Sequence, residues 1–334
     1  MKLSVLTGMA LATLGIAAAA HADDFYRGKT LHIVVASDAG GGYDSYARAL
    51  AQYYHQHIPG EPTVVVQNMA GAGGITATNW AYNVAPRDGT TIVLSQRGVP
   101  FFPFFGNAAA KFDPTKFNWI GNMNQEIGAI ALWKTSKVKS IEDARKDVAV
   151  LGGSGPNDSQ TYPALMNNTI GTRFKIVSGY PSVTAVQLAM ERGEADGISQ
   201  SWSSLKVDKA DWVQNDKINV IAQIGRQKHP DLQNVPLIMD FVQGGENKAI
   251  WNVMLALATL GRPFAAPPDV PADRVAILRQ AFDVTIKDAN FVADMTKSRR
   301  ELTPVNGETM QKLIAEVAAT PKDILGKIDR LTTP

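Results

Sequence analysis

Three times this chain runs a short apolar segment into a glycine-rich loop and then into a helical pattern. Leu31-His32-Ile33-Val34-Val35-Ala36 leads into Ser37-Asp38-Ala39-Gly40-Gly41-Gly42, and a helical pattern follows over residues 43–57. Thr63-Val64-Val65-Val66-Gln67 leads into Ala70-Gly71-Ala72-Gly73-Gly74 and a helix over 75–84. Asp147-Val148-Ala149-Val150-Leu151 leads into a loop at 152–158 and a helix to about 169. Strands that are apolar throughout, rather than alternating, are covered on both faces. Alternation with helices makes the sheet a parallel one. The fold class is therefore α/β.

The same grammar recurs along the chain. Pro59-Gly60 stops the first helix, and Pro86-Arg87-Asp88-Gly89 turns into the strand Thr91-Ile92-Val93-Leu94-Ser95. Further strands are expected at Phe174-Lys175-Ile176-Val177, Ala195-Asp196-Gly197-Ile198 and Ile218-Asn219-Val220-Ile221-Ala222. Segments 119–122 and 127–133 read as strands leaving a first α/β unit, and 260–264 as the return. Helices at 272–287 and 307–319 are expected to pack back onto that unit. The expected division is a signal peptide at 1–22, a first lobe at 23–124 plus 260–334, and a second lobe at 125–259. Two lobes joined by two crossings make a hinged clamp with a cleft between them.

Composition removes several function classes. The 334 residues allow two domains, and 45% hydrophobic with 19% charged residues can bury a core. A net charge of +2 without a basic stripe argues against a nucleic-acid partner. The absence of cysteine removes disulfides, thiolate metal sites, cysteine nucleophiles and a lipid-modified N-terminal cysteine. Lys2, the apolar stretch 3–20 and Ala20-His21-Ala22 form a signal peptide with an A-x-A cleavage site before Asp23. The stretch is too short and too Ala-rich for a membrane anchor. Export without a lipid anchor implies the periplasm, a compartment without an ATP or NAD pool, so no cofactor is expected.

Open α/β sheets bind ligands at the carboxyl ends of their strands. The glycine loops lie at those ends, each before a helix start whose N–H groups lack intrahelical partners. Such loops hold a carboxylate or a phosphate without any Lys or Arg. They also serve tight turns. The G-x-G-x-x-G pattern lacks its third glycine, and no G-K-[ST] follows a glycine run, so a nucleotide site is not expected. No nucleophile, base and orienting group form a set: G-x-S-x-G is absent, and Ser203-Ser204-Leu205-Lys206 lacks its partner motifs. The histidines show no metal spacing, so neither a catalytic nor a metal residue is assigned. Expected ligand contacts are Ser37, Gly41, Gly42 and Tyr43; Ala72, Gly73 and Gly74; and Ser154, Asn157, Tyr180 and Asp196. Asp44 either pairs with Arg48 one turn on or steadies the first glycine loop from behind. Phe101-Phe102-Pro103-Phe104-Phe105 is either core or a pocket wall.

Gly41-Gly42-Tyr43-Asp44-Ser45-Tyr46-Ala47-Arg48 resembles the G-G-x-D-x-x-A-R segment of the Bug family, the substrate-binding proteins of tripartite tricarboxylate transporters. Asn68-Met69-Ala70-Gly71-Ala72-Gly73-Gly74 is similar to that family's N-x-x-G-A-G-G loop, and Pro86-Arg87-Asp88-Gly89-Thr90-Thr91 to its P-x-D-G-x-T turn. Tyr180 and Asp196 match the second-lobe pattern, whereas Pro181-Ser182 replace the usual Lys-Gly. The resemblance implies a two-lobed periplasmic binding protein fold of type II-like form, with parallel-type sheets flanked by helices. It implies a monomer that takes a small carboxylate in its interlobe cleft and delivers it to membrane permease subunits. A ligand sensor presenting the carboxylate to a membrane receptor is the alternative, and a periplasmic enzyme a weaker one. Asp196 in the pocket would disfavour a second carboxylate against it.

Overall fold

The computed structural model describes residues 25–154 and 157–333. The signal peptide at 1–22 and the loop residues Gly155 and Pro156 lie outside the described residues. In chain order the strands are β1 (Thr30–Val35), β2 (Thr63–Asn68), β3 (Thr91–Leu94), β4 (Asn118–Asn122), β5 (Gly128–Trp133), β6 (Ala149–Gly153), β7 (Phe174–Ser178), β8 (Gly197–Ser201), β9 (Ile218–Ile224), β10 (Pro263–Ala266) and β11 (Val305–Asn306). The helices are α1 (Gly42–Tyr54), α2 (Ile75–Asn83), α3 (Ile141–Lys146), α4 (Asp158–Ile170), α5 (Val183–Glu191), α6 (Trp202–Asp208), α7 (Ala210–Gln214), α8 (Gly245–Thr259), α9 (Ala272–Thr285), α10 (Ala289–Lys297), α11 (Gly307–Ala318) and α12 (Lys322–Thr332). The chain divides into two units, one of residues 1–103, 108–124 and 262–312, the other of 104–107, 125–261 and 313–334.

The first unit holds a six-stranded sheet in the order β11-β4-β10-β3-β1-β2. Strand β1 is parallel to both β2 and β3, while β10 runs antiparallel to β3 and β4. Leu31, Ile33, Val35, Ile92, Leu94, Phe264, Leu278 and Phe282 belong to its core. Helix α1 lays Tyr46, Ala47, Leu50 and Tyr54 against that core, the stripe a 3.6-residue period requires. The Tyr54 hydroxyl, fully buried, donates to Leu278 O at 2.7 Å and so ties α1 to α9. Gly121 of β4 lies under the Phe282 ring, which a β-carbon there would overlap. Gly121→Ala is therefore expected to lower the unfolding free energy by about 2 kcal/mol, as overpacked cores do. Urea denaturation reads it, and an unchanged midpoint would show that the ring yields without cost.

The second unit holds a five-stranded sheet in the order β7-β6-β8-β5-β9. Strand β6 is parallel to β7 and β8, and β5 is antiparallel to β8 and β9. Each unit thus repeats one arrangement, a first strand flanked by the second on one side and the third on the other. Chain connections diverge at such a strand, and the crevice at its carboxyl end is where open sheets take ligands. In the first unit the register pairs Val35 with Asn68 and with Leu94, so the loops after β1, β2 and β3 leave one edge together.

Three sequence expectations need correction. The sheets are mixed rather than parallel throughout, because β10, β11, β5 and β9 pair antiparallel. Residues 313–334, assigned above to the first lobe, group with the second unit. There α12 packs on α4 and α8, burying Ile324, Leu325 and Ile328, and Asn168 Nδ2 donates to Leu331 O at 2.9 Å. The chain therefore also passes between the units within α11, beyond the two crossings expected.

Candidate functional site

The first loop leaves β1 and enters α1 at Gly42. Gly41 at the helix start offers no side-chain cap, and the first helical bond is Ser45 N–H to Gly41 O at 3.0 Å. The N–H groups of Gly42 and Tyr43 therefore have no partner among the described residues, on backbone that is exposed at Gly41 and Gly42. Helix dipole and unpaired donors together favour an anion there. Asp44 holds the loop from behind. Its carboxylate accepts Gly40 N–H at 2.8 Å, Arg48 Nε at 2.9 Å and Asn68 Nδ2 at 3.0 Å, and the Asn68 amide also donates to Ser37 O at 3.1 Å. Both sequence readings of Asp44 hold at once, since it pairs with Arg48 and it braces the loop. The Arg48 hydrogen bond, with those from Gly40 and Asn68, holds its carboxyl at about 2 against the desolvation that raises it.

The second loop consists of four successive residues with positive φ: Gly71 at 134°, Ala72 at 45°, Gly73 at 62° and Gly74 at 96°. Two of its glycines serve packing. A β-carbon on Gly71 would stand 2.6 Å from Thr76 Oγ1, and one on Gly74 would stand 3.0 Å from Gln96 Cγ and 3.3 Å from Ala36 O. Gln96 Nε2 donates to that same Ala36 O at 2.9 Å, so the ends of β1 and β3 and the second loop lock together. Gly73 is different. A β-carbon there would meet nothing within 4 Å, and the Ala72 and Gly73 N–H groups have no partner among the described residues. Residues 70–73 are exposed and Gly74 is the loop's buried anchor.

Sequence reasoning missed a cation. The Arg262 guanidinium lies 4.4 Å from the Tyr43 ring centre and 4.9 Å from that of Tyr46. Its Nη2 stands 3.4 Å from where a Gly42 β-carbon would be. The Arg262 N–H donates to Asn122 Oδ1 at 2.7 Å, fixing the chain just before β10. The signal was the return segment Gly261-Arg262-Pro263-Phe264, but only the pairing of β10 beside β3 brings it to the helix start. The Tyr43 hydroxyl accepts Arg97 N–H at 3.0 Å, so Tyr43 is itself a tether between the loops after β1 and β3. Phe101 is buried and Phe102, Pro103, Phe104 and Phe105 are half-buried, so part of the aromatic run serves the core.

In the second unit the helices that follow β6 and β7 are capped by side chains. Asn157 accepts Ser159 N–H at 3.0 Å, Asn157 Nδ2 donates to Ser154 Oγ at 3.3 Å, and Ser182 accepts Ala185 N–H at 3.2 Å. Ser154 and Asn157 are thus partly engaged with each other. Tyr180 sits beside the end of β6, its N–H donating to Gly153 O at 3.3 Å, with its ring partly buried on the core. Asp196 precedes β8 rather than ending a strand. Its carboxylate accepts Val150 N–H at 2.7 Å near the start of β6, away from the carboxyl edge. Among the described residues no His, Asp and Glu side chains gather as metal ligands would, and no helix is long and apolar enough to cross a membrane.

No protein-family model matches the chain. Over 99 residues it is 39% identical to Protein BugT of Bordetella pertussis, a match that covers 30% of this chain and 29% of BugT. A TctC solute binding protein from Polaromonas is similar with a TM-score of 0.73 at 18% identity, covering 90% of this chain and 99% of that one. The periplasmic binding protein BugD is similar with a TM-score of 0.60 at 20% identity, covering 91% and 99%. Rpa4515 of R. palustris, solved with adipate, has a TM-score of 0.61 at 18% identity, covering 91% and 97%. The solved structures carry the likeness in fold over nearly the whole chain, and BugT carries it in sequence over under a third of its own length. BugT thus bears out the sequence resemblance over that segment, and the neighbours named as solute-binding and periplasmic binding proteins bear out the fold.

Proposed function

We propose that this chain is a periplasmic solute-binding protein that captures a small carboxylate and hands it to the permease subunits of a tripartite tricarboxylate-type transporter. The observation that carries the reading is the pair of loops after β1 and β2, which present the N–H groups of Gly42, Tyr43, Ala72 and Gly73 without partners among the described residues, beside the Arg262 guanidinium. Backbone donors at a helix start, with one cation close by, suit a carboxylate. The adipate held by Rpa4515 supports the ligand class. Tyr180, Ser154 and Asn157 are the contacts proposed from the second unit. Asp196 is no longer among them. With its carboxylate spent on Val150, the objection it raised to a second ligand carboxylate lapses.

A thermal-shift screen of the purified protein over aliphatic mono-, di- and tricarboxylates, amino acids and aromatic acids tests the reading. A ligand at 100 times its Kd stabilises by about 2.7 kcal/mol, so the right acid is expected to raise Tm by several degrees. Scattering with that acid at saturation is expected to show a smaller radius of gyration. Stabilisation by no carboxylate, or turnover of the bound acid, would overturn the proposal.

A further inference from the structure

A cleft of about 550 Å3 in the first unit lies between α1 and the end of α10. Three cations line it, Arg48 on α1 and Lys297 and Arg300 at the end of α10, against two carboxylates, Asp44 and Asp294. Both carboxylates are committed. Asp44 accepts from Gly40, Arg48 and Asn68, and Asp294 Oδ2 accepts the Tyr53 hydroxyl of α1. The cations at the end of α10 are not. Among the described residues the side chains of Lys297 and Arg299 make no hydrogen bond or ion pair. The half-buried Arg300 guanidinium is fixed by hydroxyls alone, Nε donating to Ser45 Oγ at 3.3 Å and Nη1 to Ser298 Oγ at 2.6 Å. An arginine held in place without a carboxylate presents its remaining N–H donors to an incoming one.

The backbone keeps these cations at a steric cost. Helix α5 closes with Gly193 N–H to Met190 O at 3.1 Å and Glu194 N–H to Ala189 O at 2.9 Å. Helix α10 closes in the same way, with Arg299 N–H to Thr296 O at 3.0 Å and Arg300 N–H to Met295 O at 2.9 Å. The left-handed position of the motif is Gly193 at φ 76° in the one and Arg299 at φ 54° in the other. Glycine is the usual residue there, and a side chain is strained. The dipole of α10 favours a cation at this end, but Lys297 in its last turn already supplies one.

We propose that this cleft docks an acidic segment of a partner polypeptide, whose carboxylates meet Lys297, Arg299 and Arg300. The inference goes beyond the solute-binding reading and does not depend on it. Charge complementarity sets the class of partner. The cations occupy successive positions at one helix end, with Arg48 on the opposite wall. A chain carrying several carboxylates at short intervals engages them together, whereas one small anion engages them singly. A bilayer surface is flat on this scale and does not enter a cleft. The cleft also backs onto the first glycine loop, because Ser45 Oγ, which accepts from Arg300, donates to Gly42 O at 3.0 Å. A segment bound at Arg300 therefore sits one hydroxyl away from the start of α1.

Fluorescence anisotropy with labelled hexaglutamate and hexaglutamine peptides tests this on the purified protein. Hexaglutamate is expected to bind at least tenfold more tightly than hexaglutamine, and to weaken about tenfold as salt rises from about 50 to 300 mM. Lys297→Glu with Arg299→Glu, a pair of side chains with no partner to lose, should cost hexaglutamate at least tenfold in affinity and leave the melting temperature unchanged. Arg300→Gln should cost about fivefold, and Arg300→Lys, which keeps the charge but not the fork, should recover only part of it. Equal affinity for the two peptides, or undiminished affinity in these variants, would overturn the docking surface. Displacement of hexaglutamate by free glutamate at the same carboxylate concentration would reduce the cleft to a small-anion site and overturn it too. So would binding to vesicles of phosphatidylglycerol, abolished by the same substitutions, in the absence of peptide binding.

Discussion

Gly73→Val is expected to weaken carboxylate binding at least 100-fold while the protein stays folded. The two halves of that expectation come from different observations. Folding survives because a β-carbon at Gly73 would meet nothing within 4 Å among the described residues, so no core contact is lost or overfilled. Binding fails because Gly73 has φ of 62°, where a β-branched residue is strained. The loop either keeps its shape and places an isopropyl group over its unpartnered N–H groups, or relaxes to negative φ and turns those groups away. Strain of this kind costs about 1–3 kcal/mol, so a modest fall in Tm accompanies the loss. Gly71→Val gives the contrast. Its β-carbon would stand 2.6 Å from Thr76 Oγ1, so that variant is expected to lose stability first and binding as a consequence. Titration calorimetry beside a thermal melt separates the two. Undiminished affinity in a folded Gly73→Val protein would remove the second loop from the site.

The contrast shows where sequence reading stopped. Both glycines stand in the same run, and the run announces a loop that side chains cannot form. Gly71 is crowded by Thr76, Gly74 by Gln96, which follows β3, and Gly73 by nothing within 4 Å, and nothing local in the run says which is which. Strands β1 to β3 and the helices after β1 and β2 were legible because their apolar runs and stop signals are local. The loop residues Gly42, Ala72 and Gly73 were legible for the same reason. Arg262 was not, because its place beside Gly42 follows from β10 inserting antiparallel between β3 and β4, a pairing set by the whole sheet. Asp196 was misplaced by two residues of strand boundary: β8 starts at Gly197, and that shift turns a candidate contact into a backbone acceptor. Helix α12 shows a buried stripe in its sequence, Ile324, Leu325 and Ile328, but a stripe does not name the surface it covers.

Asp44 joins the legible part of the site to the part that needed coordinates, and its removal tests both. Asp44→Ala deletes the acceptor for Gly40 N–H, Arg48 Nε and Asn68 Nδ2 together. Hydrogen bonds to a buried charge are worth about 1.5–3 kcal/mol each in isolation, but these three act as one network and Arg48 is half in water. The expected loss of stability is therefore about 2–3 kcal/mol in all, and the first loop, no longer held at Gly40, should lose affinity for carboxylate about tenfold or more. The pH dependence identifies the charge as the cause. The folded carboxyl sits at about 2, below its ordinary value near 3.9, chiefly through the Arg48 hydrogen bond. A depressed carboxyl stabilises fully above the unfolded value and loses that contribution as pH falls through the folded one. The stability gap between the unaltered protein and Asp44→Ala is thus expected to be constant from pH 7 to about 5 and to shrink between about 4 and 2. Urea denaturation at pH 7, 5, 3.5 and 2.5 measures it. A gap that persists unchanged at pH 2.5 would mean that Asp44 acts through packing, and that the loop is held by Asn68 and Ser37 without it.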